Sequence, residues 1–406
     1  MPLGRAARAL AFVAAAVALV ACGGPAVPDG GGPPGGECAV TIASDITIPT
    51  RLTNRADGCD YRVEGSVRVT GALVIDAGTE IQFAQDSRLQ IADTGSMHAV
   101  GTEEQRITLR GAVNTTGYWY GLCFSDNRAS RLEWVDLLNA GKVWSGGSAV
   151  CRAAIGHGSG SGEPISIVDT LVAGAQTTGL DATRLNLGEF ARNVFAANQE
   201  FGVRVSAANL HRLDTATDYV GSSVEAPNAK EYVYVTGTLI DPGATHVWNR
   251  LNAPYFIGQE TLGYHRNVII DDGTHVEIGP GTTFVFGPEG GINVWEFSTF
   301  TAKGTAAEPV VFTGHVQVPG SWEGLAALSA ALHLEHAEVS WGGAEGIYAG
   351  NVSIAGVDAV QDSFILSSLI KGSATCGVYI GGYAHELVYE DGLNVFEDNE
   401  VDVCAG

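Results

Sequence analysis

The chain has 406 residues, of which 45% are hydrophobic and 17% are charged. That composition is typical of a globular protein with enough apolar material for a core. The formal net charge is −23. Because nucleic-acid binding needs a basic footprint, this acidity argues against a nucleic-acid partner. An anionic glycan would also be repelled unless metal ions bridged it. The 54 glycines indicate short strands joined by tight turns.

The N-terminus predicts export. Arg5 and Arg8 form a positive segment, and the apolar stretch 9–20 that follows is too short for an ordinary membrane span. The stretch runs into the residues LVAC, which end at Cys22 and resemble the bacterial lipobox. The resemblance implies a lipoprotein signal peptide over residues 1–21 and lipid attached to the Cys22 thiol. An ordinary signal peptide with a coincidental cysteine is the alternative.

Residues 22–37 are predicted to be the lipidated cysteine and a tether. Gly and Pro dominate this segment without an apolar period, so it cannot build a core. Two glycines rather than an aspartate follow Cys22, and by resemblance to enteric lipoproteins this favours the outer membrane. Loss of the two arginines in the signal peptide leaves 20 basic and 45 acidic residues, a net charge of −25.

Six further cysteines form an even set, which suggests disulfide bonds in an exported chain. Fifteen pairings are possible. Cys123 and Cys151 are separated by the same length of chain as Cys376 and Cys404. A separation of this size fits one coil of a solenoid, whose stacked coils lie about 4.8 Å apart, within disulfide reach. Neighbour pairing is therefore favoured, and it would also join the two remaining cysteines: Cys38 and Cys59.

The sequence contains itself twice. A single shift places Leu73–Leu122 over Val276–Leu325 without a gap, with 13 identities in 50 pairs. Apolar residues alternate in very short runs punctuated by turn residues. Strands this short predict a coil that bends at each turn. The predicted organisation is one continuous solenoid, with a first half over residues 38–245 and a second half over residues 246–406.

Three spaced motifs recur in both halves with conservative changes: Leu-x-Ile-x-x-Gly-Thr-x-Ile-x-Phe, Gly-Thr-x-x-x-x-Ile-x-Leu and Trp-x-Gly-Leu. Over residues 45–404 this set resembles the right-handed parallel β-helix repeat proteins common on bacterial surfaces. The resemblance implies an all-β fold, a right-handed parallel β-helix. It implies no single activity, because the same fold carries lyases, hydrolases, adhesins and passive stalks.

Two histidine motifs are candidates for chemistry. Gly156-His157-Gly158 matches part of the polygalacturonase pattern, but the other segments of that pattern are absent, so residues 155–162 are better interpreted as a flexible Gly/Ser turn. His333 and His336 are separated by two residues. On a strand they would point to opposite faces, which argues against a shared metal ion.

The densest acidic cluster lies near the C-terminus. If this segment is a strand, Asp398, Glu400 and Asp402 share one face and Glu397 points to the other. The shared face is a candidate calcium site, although a solvated edge is the simpler interpretation. No other cofactor is predicted.

Aromatic residues are the candidates for glycan binding. Tyr118, Trp119, Tyr120 and Trp322 could stack on sugar rings. Trp119 and Trp322 recur at equivalent positions, which core packing explains, whereas the two tyrosines have no aromatic counterparts. Four asparagines are expected to bond backbone groups in turns rather than a ligand: Asn193, Asn198, Asn394 and Asn399.

These features favour a non-enzymatic surface lipoprotein, bound to the membrane through its lipid anchor. Its β-helix would bind envelope glycan or a protein partner, or serve as a stalk. The alternative is a polysaccharide lyase or glycoside hydrolase on the same fold. A groove that gathers carboxylates with arginine or lysine would favour the enzyme.

Overall fold

The computed structural model describes residues 38–55, 58–143, 151–160, 162–259, 267–344, 349–356, 362–382, 387–389 and 392–406. Within these ranges the chain forms 37 short β-strands and two 3₁₀ helices. Successive strands bend away from one another, and each strand pairs in parallel with strands of the neighbouring coils. The predicted all-β parallel β-helix is therefore confirmed.

The first half has three sheets. One contains β1 (Val40–Ile42), β3 (Tyr61–Val63), β6 (Glu80–Phe83), β9 (Ile107–Gly111), β12 (Val135–Leu138), β15 (Leu171–Ala173) and β18 (Val194–Ala196). A second contains β2 (Thr50–Leu52), β5 (Ala72–Ile75), β8 (Ser96–Val100), β11 (Ser130–Glu133), β14 (Ile165–Val168) and β17 (Leu187–Ala191). The third, called the long sheet, begins with β4 (Ser66–Val69), β7 (Arg88–Ala92), β10 (Gly121–Ser125), β13 (Ala153–His157), β16 (Thr178–Ala182), β19 (Phe201–Ser206) and β20 (Lys230–Ile240).

The second half also has three sheets. The continuation of the long sheet contains β22 (Tyr255–Ile257), β25 (Thr283–Phe286), β28 (Val310–Gly314), β31 (Ala337–Ser340), β34 (Leu369–Lys371) and β36 (Val395–Glu397). Another contains β23 (Asn267–Asp271), β26 (Gly291–Trp295), β29 (Gly324–Leu328), β32 (Gly350–Gly356), β35 (Cys376–Gly382) and β37 (Val401–Ala405). The last contains β21 (Thr245–Trp248), β24 (His275–Ile278), β27 (Thr299–Lys303), β30 (Ala331–Glu335) and β33 (Phe364–Leu366).

Strand β20 joins the halves because its 11 residues take part in two sheets. Val233 and Tyr234 pair with β22, whereas the residues from Gly237 to Ile240 pair with β23. The 3₁₀ helices, Ala207–Arg212 and Ser222–Val224, precede β20. The long sheet therefore runs through both halves.

The internal duplication is visible strand by strand. The alignment of the two halves superimposes β6 to β10 on β25 to β29, and the strand bounds coincide in each case. Trp119 stacks on Phe83 with ring centroids 3.6 Å apart, and Trp322 stacks on Phe286 at 4.0 Å. Both indoles are fully buried. Their proposed role in glycan stacking is therefore wrong, because a ring without exposed surface cannot meet a sugar.

At one of the three corners of a coil, the chain turns through a single residue whose backbone has a left-handed conformation. Trp134, Asp169 and Arg192 occupy this corner in the first half, with φ of 52°, 47° and 53°. The residue directly after Arg192 is Asn193, whose side chain bonds to the preceding coil. It accepts a hydrogen bond from the Thr170 backbone N–H and donates one to the Ile167 carbonyl. Similar bonds are made by the other turn asparagines, as the sequence predicts: Asn198, Asn394 and Asn399.

All three predicted disulfides are present. The Cα–Cα distances are 4.6 Å for Cys38–Cys59, 5.5 Å for Cys123–Cys151 and 5.8 Å for Cys376–Cys404. The pairing holds although the coil length varies. The strand residue opposite Cys123 is Gly156 rather than Cys151, and Cys151 reaches Cys123 because the chain before β13 folds back over Gly156.

We expect Gly78→Val and Gly281→Val each to cost about 1–3 kcal/mol in the free energy of unfolding. The two glycines have φ of +76° and +71°, and a Cβ would lie 2.6 Å from a side-chain nitrogen of Asn54 or Arg250. Since coils contact only their neighbours, limited proteolysis should first cut the half that carries the substitution. Gly279→Val is the control, because a Cβ there meets nothing within 4 Å. Identical cleavage patterns in both variants would contradict this prediction.

Candidate functional site

The outer face of the long sheet carries aromatic residues where β19, β20 and β22 lie side by side. Along these strands Val203, Val233 and Tyr255 are fully buried in the core inside the coil. Because side chains alternate across a strand, Tyr232, Tyr234 and Phe256, which adjoin these core residues, point outward. A register irregularity between Phe201 and Val203 places Phe201 in the same cluster, separate from the core. We call the following set the outer aromatic strip: Phe201, Tyr232, Tyr234, Phe256 and His315.

Ring contacts connect the whole strip. Tyr234 lies 5.4 Å from Phe201 and 6.0 Å from Phe256, measured between ring centroids. Tyr232 lies 5.6 Å from Phe256. His315, just after β28, lies 6.0 Å from Tyr232 and 5.9 Å from Phe256. These separations are those of favourable aromatic pairs, so the strip packs as one unit outside the core.

The strip is buried at one end and open at the other. Tyr234 and Phe256 are only 2% and 3% exposed, whereas Tyr232 is half-buried and His315 is exposed. Val316, which follows His315, is exposed as well. A ligand would therefore meet the strip at the edge formed by Tyr232 and His315.

Charged groups lie over and beside the buried end. The Arg204 guanidinium lies 4.9 Å from the Tyr234 ring centroid, and the Lys230 ammonium lies 4.8 Å from that of Phe201. Asp181 is the register partner of Arg204 on the preceding coil. Cations over aromatic faces are attracted by the ring electrons. The site therefore combines apolar rings with two cationic groups and a carboxylate.

His157 lies beside this carboxylate. Its Nε2 is 4.0 Å from an Asp181 oxygen and 3.4 Å from the Thr183 hydroxyl, while Nδ1 is 3.0 Å from the Gly158 carbonyl. The interpretation of residues 155–162 as a flexible turn is wrong for its first part, because residues 155–157 belong to β13. Their pairing with β10 and β16 fixes them in the long sheet.

The acidic residues near the C-terminus do not share a strand face. β36 ends at Glu397, Asp398 has φ of 53°, and β37 begins at Val401. Asp398 and Glu400 thus lie in a corner and Asp402 on the following strand. The premise of the proposed calcium face is wrong, because the chain bends where a straight strand was assumed. In the described ranges, no three His, Cys, Asp or Glu residues are grouped to hold a metal ion.

The remaining candidates are separate from the strip. His333 stacks on Phe364, and its two nitrogens lie near the Thr301 hydroxyl and the Asp362 carbonyl. Burial lowers the pKa of His333. His336 occupies the left-handed corner after β30, with φ of 48°.

Two aromatic candidates precede β10. Tyr118 packs against the core, and Tyr120 is half-buried. For both residues, glycan binding stays a prediction. Cys22 and the tether, residues 22–37, lie outside the described residues.

Sequence reasoning missed the strip because coil length varies. Register partners Arg204 and Tyr234 are separated by a longer stretch of chain than register partners Tyr234 and Phe256. A fixed repeat period could not align these positions. The alternation of Tyr232 and Tyr234 around a buried Val233 was the one available local signal.

Comparisons with known proteins give no family for this chain. No family model matches the chain, no curated protein matches it, and no solved structure matches it. Among the described residues, no helix is long and apolar enough to span a membrane.

Asp218 anchors the segment that leads into β20. Its carboxylate accepts hydrogen bonds from the backbone of Val220, Gly221 and Ser223 and from the Asn252 side chain. Burial alone would raise the pKa of this carboxyl, but the hydrogen bonds outweigh burial and lower the pKa to about 2. Asn252 belongs to the second half, so Asp218 also holds the two halves together.

This lowered pKa predicts an acid-sensitive junction. A carboxyl with a folded pKa below its unfolded value of about 3.9 stabilises the fold above that value. The stabilisation should be lost as pH falls from about 4 through about 2. Denaturant unfolding of the wild type and Asp218→Asn, measured across this range, checks the effect. The variant should show a weaker dependence on pH, and equal slopes would contradict the assignment.

Proposed function

We propose that this chain is an exported, lipid-anchored binding protein that holds a neutral envelope glycan on its outer aromatic strip. The carrying observation is the open edge of the strip, where Tyr232 and His315 present ring surface and pack on the buried ring of Phe256. Aromatic rings suit the apolar faces of sugars, and tyrosine also offers a hydroxyl at its edge. The sequence signals at Cys22 and in the tether support display on the membrane surface.

Charge supports a neutral ligand. The chain without its signal peptide carries 20 basic and 45 acidic residues, so an anionic polysaccharide would meet a repulsive field. Two cations lie beside the strip, and each is positioned over one of its rings: Arg204 over Tyr234 and Lys230 over Phe201. Affinity would therefore rest on the exposed edge of the strip rather than on ion pairing.

A polysaccharide-cleaving enzyme is the second candidate, because His157 lies 4.0 Å from Asp181, whose register partner on the next strand of the sheet is Arg204. Glycoside hydrolysis requires two carboxyl groups held across the scissile bond. The described arrangement brings one carboxylate, Asp181, to this position. Binding without bond cleavage therefore fits the site better.

Glycan binding can be tested with an array of neutral oligosaccharides. We expect the double variant Tyr232→Ala/His315→Ala to bind about tenfold more weakly than the wild type, since each lost stacking contact costs about 0.5–1.5 kcal/mol. Reducing-sugar release, measured on the same ligands, should stay at background. If the wild type released reducing sugar and Asp181→Asn did not, the result would instead establish that the chain is a polysaccharide-cleaving enzyme.

The duplication supplies a matched control. Ala112 and Val113 occupy the positions of His315 and Val316 in the first half, away from the strip. Val113→Ala should leave glycan binding unchanged, whereas Val316→Ala should weaken it. Equal binding by the wild type and the double variant would refute the assignment of the strip.

Anchoring is tested separately. Cys22→Ser should move the protein from the membrane fraction to the soluble exported fraction, because several acyl chains together make a stable anchor. Cell fractionation with immunoblotting measures this. An unchanged amount in the membrane fraction would show that lipid on Cys22 is not the anchor.

A further inference from the structure

The corner between β20 and β21 carries an aspartate followed by a proline. Asp241, Pro242 and Gly243 are all exposed. The Asp241 carbonyl oxygen accepts a hydrogen bond from the Ala244 backbone N–H at 3.0 Å, and Gly243 has φ of 76°. Proline and glycine at the two central positions are typical of a type II turn. The sequence has no other Asp-Pro bond.

The Asp241 carboxylate is held by a buried histidine. His246 lies on the inner side of β21, two residues before the core residue Trp248. Its Nε2 is 3.0 Å from Asp241 Oδ2. The Asp241 backbone N–H donates a hydrogen bond to the Thr274 hydroxyl of the next coil at 2.8 Å. These contacts fix the backbone and the carboxylate of Asp241 relative to each other.

The elements packed against β21 bring further titratable groups to His246. The first 3₁₀ helix places the His211 ring centroid 4.6 Å from that of His246, next to Arg212. Burial, the His246 ring and Arg212 together lower the pKa of His211. On β24 the register partner of His246 is Val276, whereas the two titratable residues of that strand alternate to the other face: His275 and Glu277. Asp241 is thus the acidic group that contacts His246 at this corner.

This arrangement favours attack by the side chain on its own backbone. Carboxylates act as nucleophiles in proteins, and an aspartate reaches the carbonyl carbon of its own residue by closing a five-membered ring. A hydrogen bond to the carbonyl oxygen stabilises the negative charge that develops there. The proline nitrogen belongs to a tertiary amide, and it leaves as a basic secondary amine.

We propose that the chain cleaves its own Asp241–Pro242 bond under mildly acidic conditions. Asp241 Oδ1 attacks the Asp241 carbonyl carbon and forms a cyclic anhydride. The C–N bond to Pro242 breaks, and its electron pair stays on the proline nitrogen, which takes a proton from solvent. Water then opens the anhydride to two carboxyl groups. The overall reaction is hydrolysis of one peptide bond, with water as the only co-reactant.

The bond lies at the boundary of the two halves, and no disulfide crosses it. Two disulfides precede the bond and one follows it: Cys38–Cys59, Cys123–Cys151 and Cys376–Cys404. After cleavage, the second half would be held by strand pairing with β20 and by the Asp218–Asn252 hydrogen bond. Tyr234 precedes the bond and Phe256 follows it, so separation of the halves would also divide the outer aromatic strip. The inference itself does not rest on glycan binding.

The test incubates the purified full chain at about pH 5 and at about pH 8, because departure of the proline nitrogen needs a proton. Denaturing electrophoresis should show two fragments in equal amounts, which accumulate several-fold faster at the acidic pH. N-terminal sequencing should find a new terminus at Pro242. The rate should not change on dilution of the protein, since the reaction is intramolecular.

Two variants remove the reacting groups. Asp241→Asn lacks the carboxylate and should be cleaved about a hundredfold more slowly. Pro242→Ala keeps the carboxylate but offers a secondary amide, and it should be slowed about tenfold. The matched control is Asp272→Asn, which changes the exposed residue directly after the register partner of Ile240 on the next coil. This control should be cleaved like the wild type. Far-UV circular dichroism checks that all three variants are folded.

His246 is a positioning residue, and a pH profile tests its role. His246→Gln should slow cleavage about tenfold at about pH 5. Its rate should also level off at a higher pH than that of the wild type, because a neutral amide supports an ionised carboxylate less than a protonated imidazole does. Equal slowing at every pH would overturn the role assigned to His246.

Three results would overturn self-cleavage. The first is a wild-type chain that stays intact at about pH 5 through several days of incubation. The second is cleavage of Asp241→Asn at the wild-type rate, or a rate that falls on dilution, since either result would assign the cut to a contaminating protease. The third is a new terminus at a residue other than Pro242.

Discussion

Parallel backbone pairing between coils is the constraint on which the rest of this structure depends. Strands in such a ladder lie about 4.8 Å apart and side chains alternate between its two faces. One buried position therefore imposes burial on the residue above it, as in Ile81, Leu109 and Leu137. The same register also aligns the outward-facing side chains of successive coils in columns on the outer surface of the solenoid. The outer aromatic strip and the Asp181–Arg204 pair are products of this outer alignment rather than of a folded loop.

The duplication and the disulfides show what sequence reasoning could reach. Gly78 and Gly281 match in the alignment of the two halves because both occupy the same left-handed bend. The paired tryptophans match because each stacks on an equivalent phenylalanine in the core. Neighbour pairing of cysteines followed from the stacking of coils. These features depend on local geometry repeated at a fixed offset, which a single sequence records directly.

The candidate site depends on relations that a single sequence does not record. Tyr234 meets Phe256 because of strand register, and their separation along the chain differs from that between Arg204 and Tyr234. The acidic segment fails as a strand because Asp398 adopts a left-handed conformation. An alternating pattern cannot reveal such a corner when non-glycine residues occupy it. Coil length and corner position are set by the neighbouring coil, so they become visible only when the coils are stacked.

The three disulfides have two different structural roles, which depend on where each lies in the solenoid. Cys38–Cys59 and Cys376–Cys404 each link strands or corners of successive coils, in the first and last coils that the structure describes. Cys123–Cys151 lies between inner coils that have neighbours on both sides. It instead holds the chain folded over Gly156, directly before His157. Two of the disulfides therefore link successive coils, and the third orders the chain beside the candidate site.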